Sequence, residues 1–509
     1  MYTYQDLVDI GSDEQDKINF VYNAIGQHKN SKEYKTALIA DDYDKQQNTT
    51  TVAFQKTIVD ITGRIVPDYY SPSHKMCSNF YNRLTMQRVQ YSLSNGVKWT
   101  GAVVSVPEGT PGAIEKKTYE IVNNKAVENK EWQLSVPTGI KEKLGKNFDT
   151  QLQDLCKAGI DGGVSFGFID VKNHSDNEPE TYNMKVFKIT EFVPLYDEEN
   201  GSLRAGIRWT RVDGFKPMRA TLYEEDGFTE YIWNERVENG NHITEGKVYR
   251  AKRPYKLKKA KTGSIDEGEI YNGENYPTFP IVPFFPNKHK QSAIVGMREL
   301  IDCYDIIRNE YANEMDNALF FWILTNAGGY NKKEANDFIY QLKQSHVAVL
   351  DADQSINPVT VNPQTESREN ILDRIERDIY KDYNALDIDQ IRAGAVTATQ
   401  IKAAYESMDR AADQFEYQII EFLDRVGTVI GIEDTPTFTR SMLINVNESI
   451  TTLMQIAAVL PKDYVITKIL ELLGDGDKAE YIINQLIADE LNSFNMGNNQ
   501  VTNEDENNA

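Results

Sequence analysis

The stretch FPIVPFFPNKHKQSAIVGMRELIDCYDIIRNEYANEMD, residues 279–316, contains a marked change of sequence pattern. Its three prolines, with Pro277 just before them, prevent a helix and keep the backbone extended. Ser292 is a suitable N-cap, and helical periodicity begins after it. The stretch therefore predicts a domain joint followed by a helix of about 30 residues, which is roughly 45 Å long at 1.5 Å per residue.

The predicted helix has an apolar face and a polar face. The apolar positions recur at helical spacing and are Met297, Ile301, Tyr304, Ile307 or Arg308, Tyr311, Met315, Leu319 and Trp322. The polar positions at the same spacing are Asp302, Asp305, Asn309, Asn313 and Asp316. Taken alone, the polar stripe predicts a helix face that is exposed to solvent.

The sequence before the joint predicts an α+β domain. Residues 15–28 and 52–94 have helical periodicity. From about 98 to 280, short β-rich runs such as GGVSFGFIDV and LRAGIRWTRV alternate with Gly, Asn, Asp and Pro. One helical segment, TQLQDLCKAGIDGG, interrupts them. These patterns predict antiparallel strands joined by hairpins.

The sequence after the long helix predicts a small insertion between further helices. Residues 325–367 have a Gly328–Gly329 turn, one short helical run and two strand-like runs, HVAVLD and NPVTVN. A returning helix is predicted in RENILDRIERDIYKDYNAL, and LDIDQIRAGAVTATQIKAAY (386–405) then begins with a loop rich in small residues. A third long helix is predicted from about Thr397 to Gly431, three shorter helices follow, and the acidic end is predicted to be disordered.

Composition argues against several function classes. The 509 residues carry a formal net charge of −22, and general attraction to nucleic acid requires an excess of Lys and Arg. No apolar run approaches the roughly 20 residues that cross a bilayer, and the N-terminus lacks the pattern of a cleaved signal. Three cysteines without metal-like spacing are interpreted as buried thiols. We therefore expect a protein of several domains without a membrane span.

Motifs of enzymes are not found in the sequence. The nearest run to a phosphate-binding loop, GIKEKLGKN at 139–147, has the wrong spacing, and its last residue is not Ser or Thr. The six histidines have no carboxylate partner at fixed spacing. We predict no catalytic residue, no metal site and no cofactor, and we expect that the chain is not an enzyme.

A basic run stands out from the acidic background. It is YRAKRPYKLKKAKTG, residues 249–263. Two interpretations stay open: a solvated strand or loop face, and a surface for DNA or a partner protein.

The order of these parts resembles that of portal proteins of tailed bacteriophages, in the branch common among siphovirus-type tails. The resemblance rests on NFYNRLTMQRVQYSLSNGV (79–97), YNMKVFKITEFVPLYDEENGSLRAGIRWTRV (182–212), residues 279–316 and ITTLMQIAAVLPKDYVITKILELL (450–473). It implies a portal-type α+β fold with an α+β wing (1–290), a first stem helix (291–325), a small α/β clip (326–366), a second stem helix (367–385), a tunnel loop (386–396), a long wing helix (397–431), a helical crown (432–495) and a disordered tail (496–509).

The resemblance also implies a function and partners. Portal proteins form a ring, typically of twelve subunits, at one capsid vertex, and double-stranded DNA passes through it without sequence specificity during packaging and ejection. The implied partners are the terminase packaging motor, the major capsid and scaffolding proteins and the head-completion adaptors. The implied location is the virion, after assembly in the host bacterial cytoplasm. The alternative is a capsid or tail structural protein that does not conduct DNA.

The resemblance assigns expected roles to three sets of residues. The residues expected to face DNA at the tunnel loop are Gln390, Arg392, Ala393, Gly394, Ala395, Thr397, Thr399 and Gln400. The polar stripe Asp302, Asp305, Asn309, Asn313 and Asp316 is expected to face the channel, with an outward orientation as the alternative. The candidate clip contacts, which are otherwise ordinary surface residues, are Lys332, Lys333, Lys343 and Gln344.

Overall fold

The structure is a computed structural model of the chain. It describes residues 2–11, 13–59, 63–68, 73–107, 114–122, 125–136, 138–175, 178–211, 216–238, 241–257, 273–316, 320–325, 333, 355–360, 365–387, 398–440, 446–457, 460–473, 482–483 and 485–486.

Helices and strands alternate along the described residues. The helices are α1 (Tyr4–Ile10), α2 (Glu14–Lys29), α3 (Lys32–Asp44), α4 (Thr49–Ala53), α5 (Phe80–Leu93), α6 (Ile140–Leu144), α7 (Phe148–Gly162), α8 (Ile294–Asp316), α9 (Thr365–Asp382), α10 (Ala398–Ile430), α11 (Val446–Ile456) and α12 (Lys462–Leu473).

The strands lie mainly between α5 and α8. They are β1 (Thr57–Val59), β2 (Ile65–Pro67), β3 (Val97–Trp99), β4 (Ala102–Val106), β5 (Ile114–Val122), β6 (Lys125–Val136), β7 (Ser165–Ser175), β8 (Glu178–Lys188), β9 (Phe192–Tyr196), β10 (Leu203–Thr210), β11 (Met218–Glu224), β12 (Gly227–Glu238), β13 (Asn241–Arg253), β14 (Lys256–Leu257), β15 (Gly273–Glu274), β16 (Ile281–Phe284), β17 (Phe320–Thr325), β18 (Ser355–Thr360) and β19 (Pro436–Phe438).

The chain divides into two compact units. The first unit comprises residues 1–395 and 402–440, and the second comprises residues 396–401 and 441–509. Within the second unit, α11 and α12 pack against each other. All of the sheets described below, and the long helices α8 and α9, belong to the first unit. The mixed architecture confirms the predicted α+β class.

The described sheets of the first unit are antiparallel, and the largest is a meander. The largest has the order β13-β12-β11-β10-β9, in which each strand pairs with its neighbour in sequence. Apolar residues on one face of this sheet, including Leu195, Ile207 and Leu222, pack against Val21 and Ile25 of α2 in one core cluster. The opposite face is partly buried as well, because Phe192, Leu203 and Tyr223 belong to a second core cluster.

The predicted joint is part of a sheet. Residues 281–284 form β16, which pairs with β7 at the edge of the order β16-β7-β8. Pro283 is tolerated there because an edge strand does not need every N–H group. Gly163, at φ +80°, ends α7 so close to the joint that a Cβ would lie 2.8 Å from the carbonyl oxygen of Lys290. The proline-rich segment is therefore fixed against β7 and the end of α7, just before α8 begins.

Two predicted helices are shorter in the structure. The helix expected to continue through Leu319 and Trp322 ends at Asp316, and residues 320–325 instead form β17, which pairs with β18. The helical periodicity predicted across 52–94 is wrong between the end of α4 at Ala53 and the start of α5 at Phe80, where β1 and β2 form a hairpin that ends at Pro67. In both segments the pattern of apolar residues is compatible with a short strand as well as with a helix. Pairing with a second strand favours the strand conformation in the folded protein.

Candidate functional site

Helices α8 and α9 form an antiparallel pair. Near one end, Met297 and Ile301 of α8 and Ile379 and Tyr380 of α9 belong to one buried cluster. Near the other end, Arg368 of α9 forms an ion pair with Glu314 of α8 at 2.7 Å. We call α8 and α9 the stem helices.

The strands β17 and β18 continue the stem pair. They follow α8 and precede α9, and their antiparallel register extends from Phe320–Thr360 to Thr325–Ser355. Most of the residues between them, including Lys332, Lys343 and Gln344, lie outside the described residues. Lys333 is described and is exposed. The predicted strand HVAVLD also lies outside the described residues, and the partner of β18 is β17.

The polar stripe of α8 is buried within the subunit. Asp305 is 0%, Asn309 5% and Asn313 2% exposed. The residues that cover them come from the segment between α3 and α5, far away in sequence. The expectation that these three side chains face a channel or the outside is therefore wrong, because within one subunit they are already covered by protein.

The stripe binds residues 74–78 in a regular ladder, which we call the polar seam. The side-chain oxygens of Asn313 and Asn309 accept the backbone N–H groups of His74 and Met76, both at 2.7 Å. One turn earlier, Asp305 accepts the N–H of Ser78 at 2.9 Å. Positions four apart on a helix are separated by about 6 Å, and alternate residues of an extended chain by about 6.6 Å. The two periods match closely, so a helix face can bind an extended segment as a neighbouring strand would.

The buried charge of Asp305 is compensated by hydrogen bonds. Its carboxylate also accepts the side-chain N–H of Asn48 and, at 3.4 Å, the hydroxyl of Thr51. Arg308 lies 3.6 Å away and provides a positive charge. A carboxylate removed from water requires such partners, because its desolvation is otherwise strongly unfavourable.

Asp302 extends the seam towards the start of α8. It accepts the hydroxyl of Tyr43 and, at 2.7 Å, the hydroxyl of Thr50. The side chain of Asp316 lies outside the described residues. Four of the five stripe residues thus attach α3, α4 and residues 74–78 to the first stem helix.

The start of the predicted tunnel loop is attached to α5. The carbonyl oxygens of Tyr383 and Leu386 accept hydrogen bonds from Arg88 at 2.7 Å and from Gln87 at 3.0 Å. Leu386 is buried, at 5% exposure. The expected DNA-facing residues Gln390, Arg392, Ala393, Gly394, Ala395 and Thr397 lie outside the described residues, and Thr399 and Gln400 lie in the first turn of α10.

The sequence reasoning missed an ionic cluster at the end of the first unit. Arg440 binds Glu416 through two hydrogen bonds of 2.9 and 2.8 Å, and it also contacts Asp413 and, at 3.1 Å, Asp409. The hydrogen bonds to Glu416 and Asp413 raise the pKa of Arg440 above its ordinary value. The carboxylates at 409, 413 and 416 follow helical spacing, which is a signal for one shared partner, but the sequence does not identify that partner.

The described residues contain neither a membrane-spanning helix nor a cluster of metal ligands. None of the helices in the described ranges combines the length and the hydropathy needed to cross a bilayer. The described residues also hold no group of three or more His, Cys, Asp or Glu side chains placed to bind a metal ion.

Comparison with known proteins gives a consistent result. Residues 14–488 match the family described as "Phage portal protein, SPP1 Gp6-like". A protein named "Portal protein" from Clostridium phage phiCD119 is 20% identical over 349 residues, which are 64% of this chain and 70% of that protein. Another, from Bacillus phage SPP1, is 22% identical over 338 residues, which are 62% of this chain and 62% of that protein.

Solved structures give weaker matches. The neck of a native gene transfer agent particle, computed with C12 symmetry, is 10% identical, with a TM-score of 0.34 over 64% of this chain and 80% of that one. The virion of a native gene transfer agent particle gives a TM-score of 0.33, with 9% identity over 62% of this chain and 76% of that one.

The family match covers the described helices from α2 to α12, including both stem helices. The function that follows is that of a portal, the channel for packaging phage DNA. The chain belongs to the SPP1 Gp6-like family of phage portal proteins.

Proposed function

We propose that twelve copies of this chain form a ring at one capsid vertex, and that double-stranded DNA passes through the ring during packaging and ejection. The observation that supports this is the family match across residues 14–488. In this proposal the terminase motor and the head-completion adaptors dock on the ring in succession, and capsid and scaffolding proteins surround it. The ring assembles in the host cytoplasm and remains in the virion.

Native mass spectrometry of the purified chain, paired with negative-stain images, tests this proposal. We expect an assembly near twelve times the 58.0 kDa subunit, with a stain-filled central hole. A particle without a hole would instead favour the capsid or tail structural protein. The family is structural, and we propose that the chain has no ATPase activity of its own.

We also propose that the exposed face of α9 borders the channel. The polar stripe of α8 is occupied by the polar seam, whereas α9 buries only Ile379 and Tyr380. Exposed carboxylates follow one another along α9 at Glu366, Glu369 and Asp373, although Arg374 and Arg377 are exposed as well. Carboxylates at the wall of a bore would repel DNA phosphates and limit sticking.

Charge reversal on α9 tests this assignment. Replacing Glu366, Glu369 and Asp373 with Lys should slow packaging, because DNA phosphates would bind the wall. The matched control replaces three exposed carboxylates on α10, Glu406, Glu421 and Asp424, with Lys. Rates measured in a packaging assay should fall for the first variant and stay near wild type for the second. Equal rates for the two variants would show that α9 does not border the bore.

A further inference from the structure

A groove with an aromatic floor lies in the wing, apart from the stem helices. It is formed where β7 and β8 meet β11 and β12, and its volume is about 400 Å³. The floor consists of Phe168, Tyr223, Phe228 and Tyr255, whose ring centroids lie 5.3 to 6.1 Å apart in successive pairs. Phe168, Tyr223 and Tyr255 are 6%, 7% and 7% exposed. The floor is therefore rigid and apolar, and its rings expose little of their faces to solvent.

Basic side chains border this floor. Lys172 is exposed, and Lys185 is about half exposed, 2.5 Å from Asp170. The Lys185 ammonium lies 5.9 Å from the ring centroid of Phe168, and the Arg253 guanidinium lies 4.9 Å from that of Phe228. Cations above aromatic rings keep their charge while their stems cover the rings.

The basic surface continues onto the neighbouring strands. Arg250 of β13 pairs with Glu230 of β12, which lines the groove, so the two side chains share a face of the sheet. The register skips Tyr249, which is 41% exposed. The guanidinium groups of Arg219 and Arg250 lie 4.9 and 5.3 Å from the Tyr249 ring. This β-bulge therefore gathers two cations around one aromatic side chain.

The charges of this surface do not balance. Its basic residues are Lys172, Lys185, Arg219, Arg250 and Arg253, and its carboxylates are Asp170 and Glu230. Five cations thus face two carboxylates, in a chain whose net charge is −22. A cleft with one sign of charge and low-dielectric walls concentrates the field and attracts ligands of the opposite sign.

We propose that this surface, the basic groove, binds an acidic polypeptide segment of a partner protein. Charge complementarity identifies the ligand as an anion, and the shallow groove fits a single extended chain. A DNA duplex is a rigid rod that would also meet the acidic remainder of the molecule. Single-stranded nucleic acid requires open ring faces for stacking, and the floor does not provide them.

Fluorescence anisotropy with a labelled oligoglutamate peptide tests the basic groove on the assembled full-length protein. We expect binding that weakens as salt increases. The variant Lys172→Gln, Lys185→Gln and Arg250→Gln should lower the affinity about tenfold or more, because it removes three of the four exposed cations of the surface. The matched control, Arg374→Gln, Arg410→Gln and Arg425→Gln, changes the net charge equally at exposed sites on α9 and α10 and should change the affinity less than about twofold.

Three results would overturn the proposal. The wild-type protein could fail to bind oligoglutamate at low salt, or the groove variant and its control could lose affinity equally, which would indicate general charge attraction. A short DNA duplex or single strand could also compete with the peptide at lower concentration, which would make the surface a nucleic-acid site. The single variant Lys172→Gln, at an exposed position, gives the same test with no risk to folding. If the groove has no affinity for the peptide, the remaining role of its basic residues is to prevent other chains from pairing with the edge strand β13.

Discussion

Asn309 lies at the centre of the polar seam and binds both backbone groups of Met76. Its side-chain oxygen accepts the N–H at 2.7 Å, and its amide donates to the carbonyl oxygen at 3.0 Å. The exposure of Asn309 is only 5%, so water cannot easily replace a lost partner. The Asn309 side chain thus provides the same acceptor and donor that the backbone of a neighbouring strand would offer to Met76.

Replacing Asn309 with Ala should destabilise the seam by about 1–3 kcal/mol, the cost of leaving buried polar groups without partners. Hydrogen exchange at residues 74–78 should accelerate locally, and the urea midpoint should fall. The control Glu299→Ala changes an exposed side chain on the same helix and should leave both measurements near wild type. Unchanged exchange at Met76 in Asn309→Ala would mean that the seam does not hold this segment.

His28, in α2, makes the stability of the first unit depend on pH. The ring is 1% exposed, and its Nε2 lies 2.7 Å from the carbonyl oxygen of Ile189, to which a neutral ring can donate. Burial lowers the pKa of His28 below its ordinary value of 6.5. The folded state therefore binds the proton less tightly than the unfolded state, so stability is complete above pH 6.5 and falls as the pH drops from 6.5 towards the lowered pKa.

Urea unfolding at pH 7.5 and at pH 5.5 measures this dependence. We expect the wild type to lose stability on acidification, and His28→Gln to lose less, because an amide does not titrate in this range. The variant should be less stable than wild type at the higher pH, where the neutral histidine packs best. A pH dependence identical in the two proteins would assign it to other groups.

At the scale of elements, Gly206 allows β10 to pass directly over Phe192. A Cβ at this position would lie 2.1 Å from the Phe192 ring, which is fully buried and packs against Phe166 and Phe187. Gly206→Ala should therefore destabilise the five-stranded sheet by about 1–3 kcal/mol through overpacking. On α2, the exposed Gly26 has no atom within 4 Å of an added Cβ, so Gly26→Ala should stabilise by about 0.5–1 kcal/mol.

The two substitutions are expected to change the stability in opposite directions. Differential scanning calorimetry of the two variants measures both changes. The chemistry of the change is the same in each, and only the environment differs. An increase in the melting temperature of Gly206→Ala would show that the Phe192 ring moves aside without cost.

Arg440 fixes the last strand of the first unit. Strand β19 pairs with β3, and Arg440 then binds carboxylates on α10. In Arg440→Gln, Asp409, Asp413 and Glu416 would repel one another without a cation, and β19 should exchange its amide protons faster. Arg425→Gln is the control, because its single exposed pair with Glu421 contributes about 0–1 kcal/mol. Equal amide exchange of β19 in the two variants would show that the Arg440 cluster contributes no more to stability than an exposed ion pair.

The sequence predicts the positions of helices better than it predicts the segments that pack against them. Periodicity locates α2, α7, α9 and α10 because an amphipathic helix encodes its buried face in local spacing. The stripe of α8 is also visible in the sequence, but its partners at residues 43–51 and 74–78 lie more than 200 positions away, and nothing local identifies them. A stripe with two asparagines at four-residue spacing is compatible with hydrogen bonding to another backbone segment and with exposure to solvent. Only the tertiary contacts show which of the two applies.

At the scale of the whole molecule, the two stem helices have different neighbours. Helix α8 is covered by α9 on one side and by residues 43–51 and 74–78 on another, so it is the more buried of the two stem helices. Helix α9 remains largely exposed and leads into the loop expected at the narrowest part of the ring. The local sequence pattern does not identify the residues that contact neighbouring copies, since a ring brings together faces that are far apart in each subunit.

The tunnel loop provides the last prediction. Its start is attached to α5 through the contacts of Arg88 with Tyr383 and of Gln87 with Leu386, and α10 begins at Ala398. Deleting residues 390–396 leaves these anchors in place, so the ring should still assemble. The deletion should lower DNA packaging or retention, because it removes the small residues 393–395 and the polar residues near them that are expected to face DNA. Replacing the same residues with a Gly-Ser segment of equal length separates the effect of chemistry from that of length. Native mass spectrometry reports assembly, and packaged DNA per capsid reports function. Loss of the ring in the deletion but not in the Gly-Ser variant would make the loop a structural joint whose length, rather than its contacts, matters.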